Sequence, residues 1–490
     1  MPVWSPWGGL MGGGTSHTPR EPQGIGGLHV VLCGTGNATH CLVGLFALQR
    51  HEDVDITVDI FSRRSHARFA ESNQENGGLI KVNTFDGEQL VGKVNMVTDD
   101  AAKCFPDADL VLMPLHGAAD EAYLNDMAPY LKEGSMVFKF GPAGTTGFFI
   151  SARDVLCCKN SITDKDIVLC AVEVLPFNGR LVEFGKSANL LGIKDEVNCI
   201  ATSTQHLLNR RLGEESTREE MQLRTQHALN QTIAYKAKPH YKSLEHVVCA
   251  DLTPAIVHVP IIYSYFHSQW DGVTPLSEIP MYYSTADANT QKCYQAISQE
   301  CLAIKHALQN RYTGLDLGAD RDVTSFFQEM YGSQCSDNSC AASIMRTCPA
   351  LKSRRHPMKP SKDDASIFQI DYEDRFIAED VPYQMLMVKG IASLSGVEVE
   401  TPTIDRIIGW AQKGMGKEYL IDGKLIGRDI HDSRCPQRYG CSTVDGYLSF
   451  VGCSDLVAQR GGNGAPRACD GDGSCGEEER PCNSASFVEM

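Results

Sequence analysis

The chain has 490 residues, of which 42% are hydrophobic and 22% are charged, a composition typical of a globular protein with two or three domains. Lysine and arginine total 45 against 61 aspartate and glutamate residues, so the formal net charge is −16 at neutral pH. This acidic balance argues against a nucleic-acid binder, which needs a basic surface. No sequence window offers the ~20 apolar residues of a membrane-spanning helix. For these two reasons we expect neither nucleic acid nor a membrane as a partner.

The nineteen cysteines are scattered through hydrophobic segments along the chain. A secreted disulfide framework would be small and dense in cysteine and would follow a signal peptide. Residues 1–27 have no apolar signal-peptide core, so we predict a disordered leader and a reducing, cytoplasmic compartment. A cleaved organelle-targeting peptide is the alternative interpretation of this leader.

Short hydrophobic runs alternate with helical stretches over residues 28–198. Strands followed by helices indicate right-handed βαβ units, so the pattern predicts an α/β domain of the Rossmann type with a parallel sheet. Helices are expected at 41–50 and 120–132. The predicted strands lie at residues 28–33, 55–61, 109–113, 135–140, 167–170 and 181–184.

The pattern changes to a mostly helical one over residues 199–455, for which we predict an all-α C-terminal domain. Apolar residues recur at spacings of three and four in four segments, at 214–236, 289–312, 381–394 and 402–413. Residues 333–365 are expected to form a long loop. The acidic, cysteine-containing tail 456–490 is predicted to be disordered, and its cysteine spacings fit no zinc motif, so no metal is expected.

The junction between the first strand and the first helix carries Gly34 and Gly36, followed by Asn37 and Ala38. The first glycine permits a tight turn, the second lets backbone approach a pyrophosphate, and the helix offers unpaired N–H groups. Thr39 stands where the usual fingerprint has glycine or alanine, but the position between strand and helix is the expected one. We predict that these four residues bind a dinucleotide; an ordinary strand–helix turn is the alternative.

The end of the second strand bears on which dinucleotide binds. An acidic residue there would hydrogen-bond the ribose 2′-hydroxyl of NAD, whereas this chain has Arg63 and Arg64. Two guanidinium groups can grip a 2′-phosphate. The sequence therefore favours NADPH slightly over NADH, unless both arginines are simply solvated surface charges.

Two segments of the helical half carry candidate catalytic groups. His258 lies in an apolar run, and a lone buried histidine is often no more than a core residue. The charged segment that contains Arg375 and Asp380 precedes an apolar helix, where carboxylates also suit the positive end of the helix dipole. Taken separately, these two segments leave a catalytic role and a structural role open.

Several blocks resemble, in the same order, those of the octopine/opine dehydrogenase family. The blocks are 31–40, 108–114, 141–144, 173–176 and 254–260, and the closest matches are 375–383, 389–396 and 402–405. The resemblance extends over about residues 28–420 and implies a Rossmann domain followed by a helical domain. It also implies the family's activity, in which NAD(P)H reduces the imine formed from an amino acid and a 2-oxo acid such as pyruvate.

The resemblance also implies roles for individual residues. By position, His258 is similar to the family's catalytic acid/base, and Asp380 is similar to its carboxylate partner. Arg375 is similar to the arginine that holds a substrate carboxylate, and Glu173 lies where an amino-acid substrate would be contacted. The chain departs from the family pattern at Gly179, which replaces a larger residue, and at both extended termini.

Two other functions are weighed against this one. A reductase of a simple carbonyl, resembling glycerol-3-phosphate dehydrogenases or ketopantoate reductases, would generally use a lysine as the acid. A dinucleotide-binding sensor would need no catalytic groups, and the set of His258, Arg375 and Asp380 argues against both. We expect a monomer or a homodimer.

Overall fold

The computed structural model of the protein describes residues 28–48, 56–140, 146–162, 167–201, 238–242, 244–253, 256–271, 274–276, 278–312, 314–352 and 354–460. The predicted leader, the helix predicted at 214–236, the block 141–144 and most of the predicted tail lie outside these residues.

The described residues contain the following strands and α-helices. The strands are β1 Leu28–Cys33, β2 Ile56–Phe61, β3 Leu79–Thr84, β4 Gln89–Lys93, β5 Met96–Thr98, β6 Leu110–Met113, β7 Met136–Lys139, β8 Val168–Val172, β9 Phe177–Glu183, β10 Ser187–Ile193, β11 Glu196–Ala201, β12 Lys238–Lys242, β13 Met358–Pro360 and β14 Phe368–Ile370. The helices are α1 Asn37–Leu48, α2 His66–Glu75, α3 Ala101–Cys104, α4 Gly117–Met127, α5 Phe148–Arg153, α6 His246–Asp251, α7 His258–Ser268, α8 Ala288–Arg311, α9 Val323–Tyr331, α10 Ala341–Thr347, α11 Arg375–Ala378, α12 Leu386–Ala392, α13 Pro402–Met415, α14 Val444–Phe450 and α15 Ser454–Arg460.

An eight-stranded sheet forms the centre of the N-terminal half, in the order β12-β11-β8-β7-β6-β1-β2-β5. Neighbouring strands are parallel except for β8 and β11. Strands such as β6 are hydrophobic along their whole length, as expected where a parallel sheet is covered on both faces. The predicted Rossmann domain is confirmed, and its strand order reverses between β1 and β6, where such folds bind ligands.

The sheet extends beyond the expected domain boundary. Residue 198 lies inside β11, which pairs antiparallel with β8, and β12 then adds to β11. The sheet therefore reaches Lys242. Periodicity alone could not show this, because an edge strand is added by pairing between distant segments rather than by a local sequence signal.

A second, four-stranded sheet in the order β4-β3-β10-β9 covers the outer side of α1. The helix and this sheet approach closely, because two contact positions are glycines. A side chain on Gly44 or Gly92 would collide with Val82 or with the backbone of Val43. This sheet places β9 beside the N-terminus of α1, which is important for the site described below.

The C-terminal half is mainly helical and contains one short antiparallel pair, β13 and β14. Its longest described helix, α8, begins at a capping box formed by Asp287 and Thr290, which satisfies backbone N–H groups at the helix start. None of the described helices combines the length and apolar character needed to cross a membrane.

The prediction of a long loop at 333–365 is wrong in part, since this region contains α10 and β13. The helix is only seven residues long, but it buries Ile344 and Met345 in the core. Such a short segment carries too little periodicity to be identified, and its helical state depends on tertiary packing.

A buried ionic cluster joins the two halves of the chain. Lys139, at the end of β7, donates to Asp120 Oδ1 at 2.7 Å and to the Leu115 carbonyl at 2.6 Å. Arg434, from the helical half, donates to Asp120 Oδ2 at 2.5 Å and to the Gly117 carbonyl at 2.8 Å. The side chains of Lys139, Asp120 and Arg434 are at most 1% exposed, so one buried carboxylate holds two cations from different parts of the fold.

We expect Arg434→Met to lower the free energy of unfolding by about 3–5 kcal/mol, because it breaks a buried ion pair by removing one partner. Urea unfolding followed by circular dichroism measures this change. The control is Arg428→Met, since the Arg428 side chain is 73% exposed and a surface substitution should change stability by less than about 0.5 kcal/mol. Equal effects of the two substitutions would contradict the structural role of Arg434.

Candidate active site

The loop between β1 and α1 leaves open space at the N-terminus of the helix. Gly34 has a φ of +88° and lies so close to Leu115 that a Cβ would come within 2.8 Å of that side chain. Its N–H donates to the Phe61 carbonyl at 2.7 Å. Gly36, in contrast, faces space in which a Cβ would meet no described atom beyond its chain neighbours within 4 Å. The loop is thus held on the sheet side and open on the side where a pyrophosphate would approach the helix N-terminus.

Asn37 and Ala38 form the first turn of α1. The Asn37 side-chain oxygen accepts a hydrogen bond from the Leu181 N–H of β9 at 2.7 Å. This oxygen therefore ties the loop to the second sheet, while Ala38 stays partly exposed beside it.

The His40 ring links the same loop to Gly185 of the segment between β9 and β10. Its Nε2 accepts the N–H of Gly185 at 2.9 Å, so the ring proton lies on Nδ1, which donates to the Gly36 carbonyl at 2.8 Å. The ring packs against Phe69 and Phe184, and burial lowers the pKa of His40. Sequence reasoning assigned His40 no role, although its position four residues after Gly36 matches one helical turn.

The end of β2 carries Arg63 and Arg64 beside a cleft. Arg63 forms an ion pair with Asp126 of α4, with Nε and Oδ2 2.9 Å apart, and both Arg63 and Arg64 are exposed. Asp99 and Tyr130 also line this cleft. Both guanidinium groups therefore face solvent, and that of Arg63 already has a counter-ion within the protein.

His258 and Asp380 are brought together from segments 122 residues apart, with Nδ1 and Oδ2 separated by 2.7 Å. The Asp380 side chain is 5% exposed and that of His258 is 15% exposed. Phe376 stacks on the imidazole, with ring centroids 3.8 Å apart and an interplanar angle of 6°. A carboxylate on Nδ1 fixes the tautomer and leaves Nε2 to exchange protons.

Two tyrosines that sequence reasoning missed complete the surroundings of His258. The Tyr282 hydroxyl donates to the His258 carbonyl at 2.6 Å, which holds the first residue of α7. The Tyr283 hydroxyl lies 3.3 Å from Nε2, the nitrogen that faces away from Asp380. A pair of adjacent tyrosines matches no motif, so only their position in the fold identifies them.

Arg375 lies beside this pair, with its guanidinium 5.0 Å from the centre of the Phe376 ring. Its neighbour Arg354 is bonded to Asp374 at 2.6 Å, but Arg375 has no carboxylate partner among the residues that the structure describes. Burial and the charge of Arg375 lower the pKa of Arg180 on β9, which places a second guanidinium near the same space. Two guanidinium groups, those of Arg375 and Arg180, therefore lie on the same side of the site.

Glu173 lies apart from this group, at the end of β8. Both carboxylate oxygens are 3.0 Å from Arg321, and Oε2 also accepts from Asn198 at 2.6 Å. It lines a separate cavity together with His246 and Lys305. The structure thus brings His258, Asp380 and Arg375 together and places Glu173 in a different ionic cluster.

A doubly wound sheet with an open glycine loop, facing a helical half that carries a histidine–aspartate pair, defines a nicotinamide-dinucleotide-dependent oxidoreductase. The family model described as NAD/NADP octopine/nopaline dehydrogenase, alpha-helical domain, matches residues 244–415. This match confirms the resemblance of the chain to the octopine/opine dehydrogenases, together with the relatives described next.

Curated relatives and solved structures cover almost the same part of the chain. Octopine dehydrogenase of Mizuhopecten yessoensis is 29% identical over 425 residues, or 86% of this chain and 98% of that protein. Tauropine dehydrogenase of Arabella iricolor is 27% identical over 420 residues, or 86% of this chain and 99% of that protein. An octopine dehydrogenase structure with NADH and L-arginine has a TM-score of 0.69 at 27% identity and covers 86% of this chain and 98% of its own.

The lowered pKa of the buried His40 ring predicts a pH dependence of stability. An unfolded chain takes up a proton at histidine near pH 6.5, at about the ordinary pKa, whereas burial lowers the pKa of His40 in the folded protein below that value. The stability contributed by this ring is therefore complete above a pH of about 6.5 and is lost as the pH falls below it.

In His40→Gln, a neutral amide offers a similar acceptor and donor, so this part of the pH dependence should disappear. We expect the free energy of unfolding to fall less steeply below pH 6.5 than in the unsubstituted protein, by at most about 1.4 kcal/mol per pH unit. Urea unfolding at several pH values measures the slope. His431→Gln is the control, since the His431 side chain is 72% exposed; an unchanged slope in His40→Gln would contradict the assignment.

Proposed function

We propose that the protein is an NAD(P)H-dependent opine dehydrogenase, which condenses an amino acid with a 2-oxo acid such as pyruvate and reduces the resulting imine. In the reverse direction it acts on a CH–NH donor. The observation that carries this proposal is the hydrogen bond between His258 and Asp380 beside the guanidinium of Arg375. Relatives named octopine, opine and tauropine dehydrogenase support it, as do octopine dehydrogenase structures named as complexes with L-arginine or pyruvate.

The open loop at Gly34 and Gly36 fits a dinucleotide, because backbone there can approach a pyrophosphate at the N-terminus of α1. The nicotinamide ring, when bound, supplies the hydride. Asn37 and Ala38 form the first turn of this helix, and the His40 ring hydrogen-bonds the carbonyl of Gly36.

His258 is proposed to hold and move the proton. Condensation expels water and reduction leaves a secondary amine, so a proton must be exchanged with the oxygen or the nitrogen of the substrates. Nε2 is placed for this exchange, because Nδ1 is committed to Asp380, whose charge stabilises the imidazolium. The Tyr283 hydroxyl lies at Nε2 in this structure and marks the position where a substrate oxygen would be received.

Arg375 is proposed to bind the carboxylate of the 2-oxo acid. A guanidinium binds a planar carboxylate through two parallel hydrogen bonds and so fixes the orientation of the carbonyl. Glu173, which the sequence resemblance placed near the amino acid, is not included in the proposed site, because Arg321 and Asn198 occupy its oxygens.

NADPH is proposed as the slightly preferred cofactor. The end of β2 carries no carboxylate for a ribose hydroxyl, and Arg64 is exposed next to Arg63.

A reducing, cytoplasmic location is also proposed. Thiols such as Cys33 and Cys41 are buried in the core, and burial raises the pKa of Cys41 to about 12, as expected of an unreactive structural cysteine.

Initial rates of NADPH and NADH oxidation test the proposed function, with pyruvate and a panel of amino acids and with each substrate omitted in turn. We expect oxidation only when an amine and an oxo acid are both present, and faster oxidation of NADPH at low concentration. Oxidation with the oxo acid alone would indicate a carbonyl reductase. Dinucleotide binding without any oxidation would indicate a sensor, and either result would contradict the proposal.

His258→Ala is expected to reduce kcat by roughly 10²–10⁴-fold, the contribution of a general acid/base, and to leave the affinity for the dinucleotide unchanged. Steady-state rates and fluorescence titration measure the two quantities. His267→Ala is the matched control, because His267 lies on the same helix with its ring bonded to the Tyr263 carbonyl in an exposed position. An unchanged kcat in His258→Ala would remove His258 from the proposed mechanism.

A further inference from the structure

The buried carboxylate of Glu379 joins the helical half to the loop that follows β6. Its Oε1 accepts the N–H of Gly117 at 2.5 Å, and its Oε2 lies 3.1 Å from Nδ1 of His116. The Glu379 side chain is 6% exposed. Gly117 is the first residue of α4, so the carboxylate also satisfies a backbone donor that has no partner within the helix. The mechanism proposed above does not use this residue.

The loop that Glu379 holds lies at the dinucleotide crevice. It follows β6, and the crevice opens between the carboxyl ends of β1 and β6. Leu115 of this loop packs directly against Gly34, and Lys139 donates to the Leu115 carbonyl. The loop is therefore fixed on one side by the sheet and the glycine loop, and on the other side by Glu379.

Glu379 also immediately precedes Asp380. Its N–H donates to the Arg375 carbonyl at 3.0 Å, and its own carbonyl accepts from the Tyr383 N–H at 3.0 Å. The backbone around Asp380 is consequently ordered on both sides, and the Asp380 carboxylate depends on the anchor one residue before it. A displacement of Glu379 would move the oxygen that lies 2.7 Å from His258 Nδ1.

Glu379 acts on the loop as a charged group. Burial alone would disfavour its ionised form, but the hydrogen bonds from His116 and Gly117 outweigh that effect and hold the pKa of Glu379 below its ordinary value. Hydrogen bonds to an ionised acceptor are stronger than those between neutral groups, so the link between the two halves is firm at neutral pH.

We propose that Glu379 is a positioning residue, which fixes the His258–Asp380 pair relative to the crevice that receives the dinucleotide. Its contacts run without interruption from the glycine loop through Leu115 and Gly117 to the segment that carries Asp380. Its effect on turnover rests on the proposed function, whereas its effect on the geometry of the pair does not.

The test compares Glu379→Ala and Glu379→Gln with Glu373→Gln, a control in the same segment whose side chain is 90% exposed. We expect Glu379→Ala to lower kcat about 10–100-fold, since small displacements of reacting groups are costly. Glu379→Gln keeps an acceptor for the Gly117 N–H, so it should restore part of the loss. The control should keep the kcat of the unsubstituted protein.

The second readout is the low-field proton resonance of Nδ1–H in His258, assigned by its absence from the spectrum of His258→Ala. We expect this resonance to shift or broaden in Glu379→Ala and less so in Glu379→Gln, with far-UV circular dichroism unchanged. Because it needs no substrate, it tests the positioning role even if no amine and oxo acid support turnover. If Glu379→Ala does not fold, the nearly isosteric Glu379→Gln carries the test alone.

An unmoved resonance in both variants would overturn the proposal, whether kcat fell or stayed the same, because the geometry of the pair would then be independent of Glu379. A shifted resonance with unchanged kcat in an active enzyme would overturn it too, since the displacement would have no consequence for turnover. A shifted resonance together with reduced kcat, or a shifted resonance alone where no turnover exists, supports the positioning role.

Discussion

The packing of the two halves depends on two buried carboxylates, Asp120 and Glu379, whose partners lie where the chain passes from β6 into α4. Asp120 accepts hydrogen bonds from Lys139 and Arg434 at 2.7 and 2.5 Å. Burying charges costs their hydration, and the attraction within an ion pair offsets this cost only when the hydrogen-bond geometry is good. Because Arg434 comes from the C-terminal part of the chain, the same contact fixes the helical half against the sheet. Glu379, also from the helical half, forms a second link of this kind with the Gly117 N–H and the His116 ring, three and four residues before Asp120.

The parallel sheet explains why the chemistry is located where it is. The strand order reverses between β1 and β6, and the helices on the two faces diverge there, which leaves a crevice at the carboxyl ends of the strands. Gly34 allows the turn that leads into α1, and its contact with Leu115 brings the glycine loop and the loop after β6 together. The helical half reaches the same edge through the segment that contains Arg375 and Asp380.

The arrangement around His258 separates binding from proton exchange. Asp380 and Phe376 hold the imidazole in one orientation from two sides, so that only Nε2 points towards Tyr283. Arg375 lies beside Phe376, and Arg180 is close enough for the charge of Arg375 to lower its pKa; two such positive groups suit substrates that carry carboxylates. An enzyme that joins two carboxylate-bearing molecules would need such charge at the reacting centre.

The sequence by itself determined the elements whose signal is local. The hydrophobic run of β1, the glycines that follow it and the long amphipathic helices are encoded by neighbouring residues, because backbone conformation and burial pattern repeat over a few positions.

Tertiary structure alone decided which distant groups meet. It paired His258 with Asp380, a partnership that the family resemblance had suggested, and it bonded Glu173 to Arg321 and Arg63 to Asp126. It also added β12 to the sheet and placed Tyr283 at the imidazole. Such pairings depend on distances between elements far apart in the chain, which no local pattern of residues specifies.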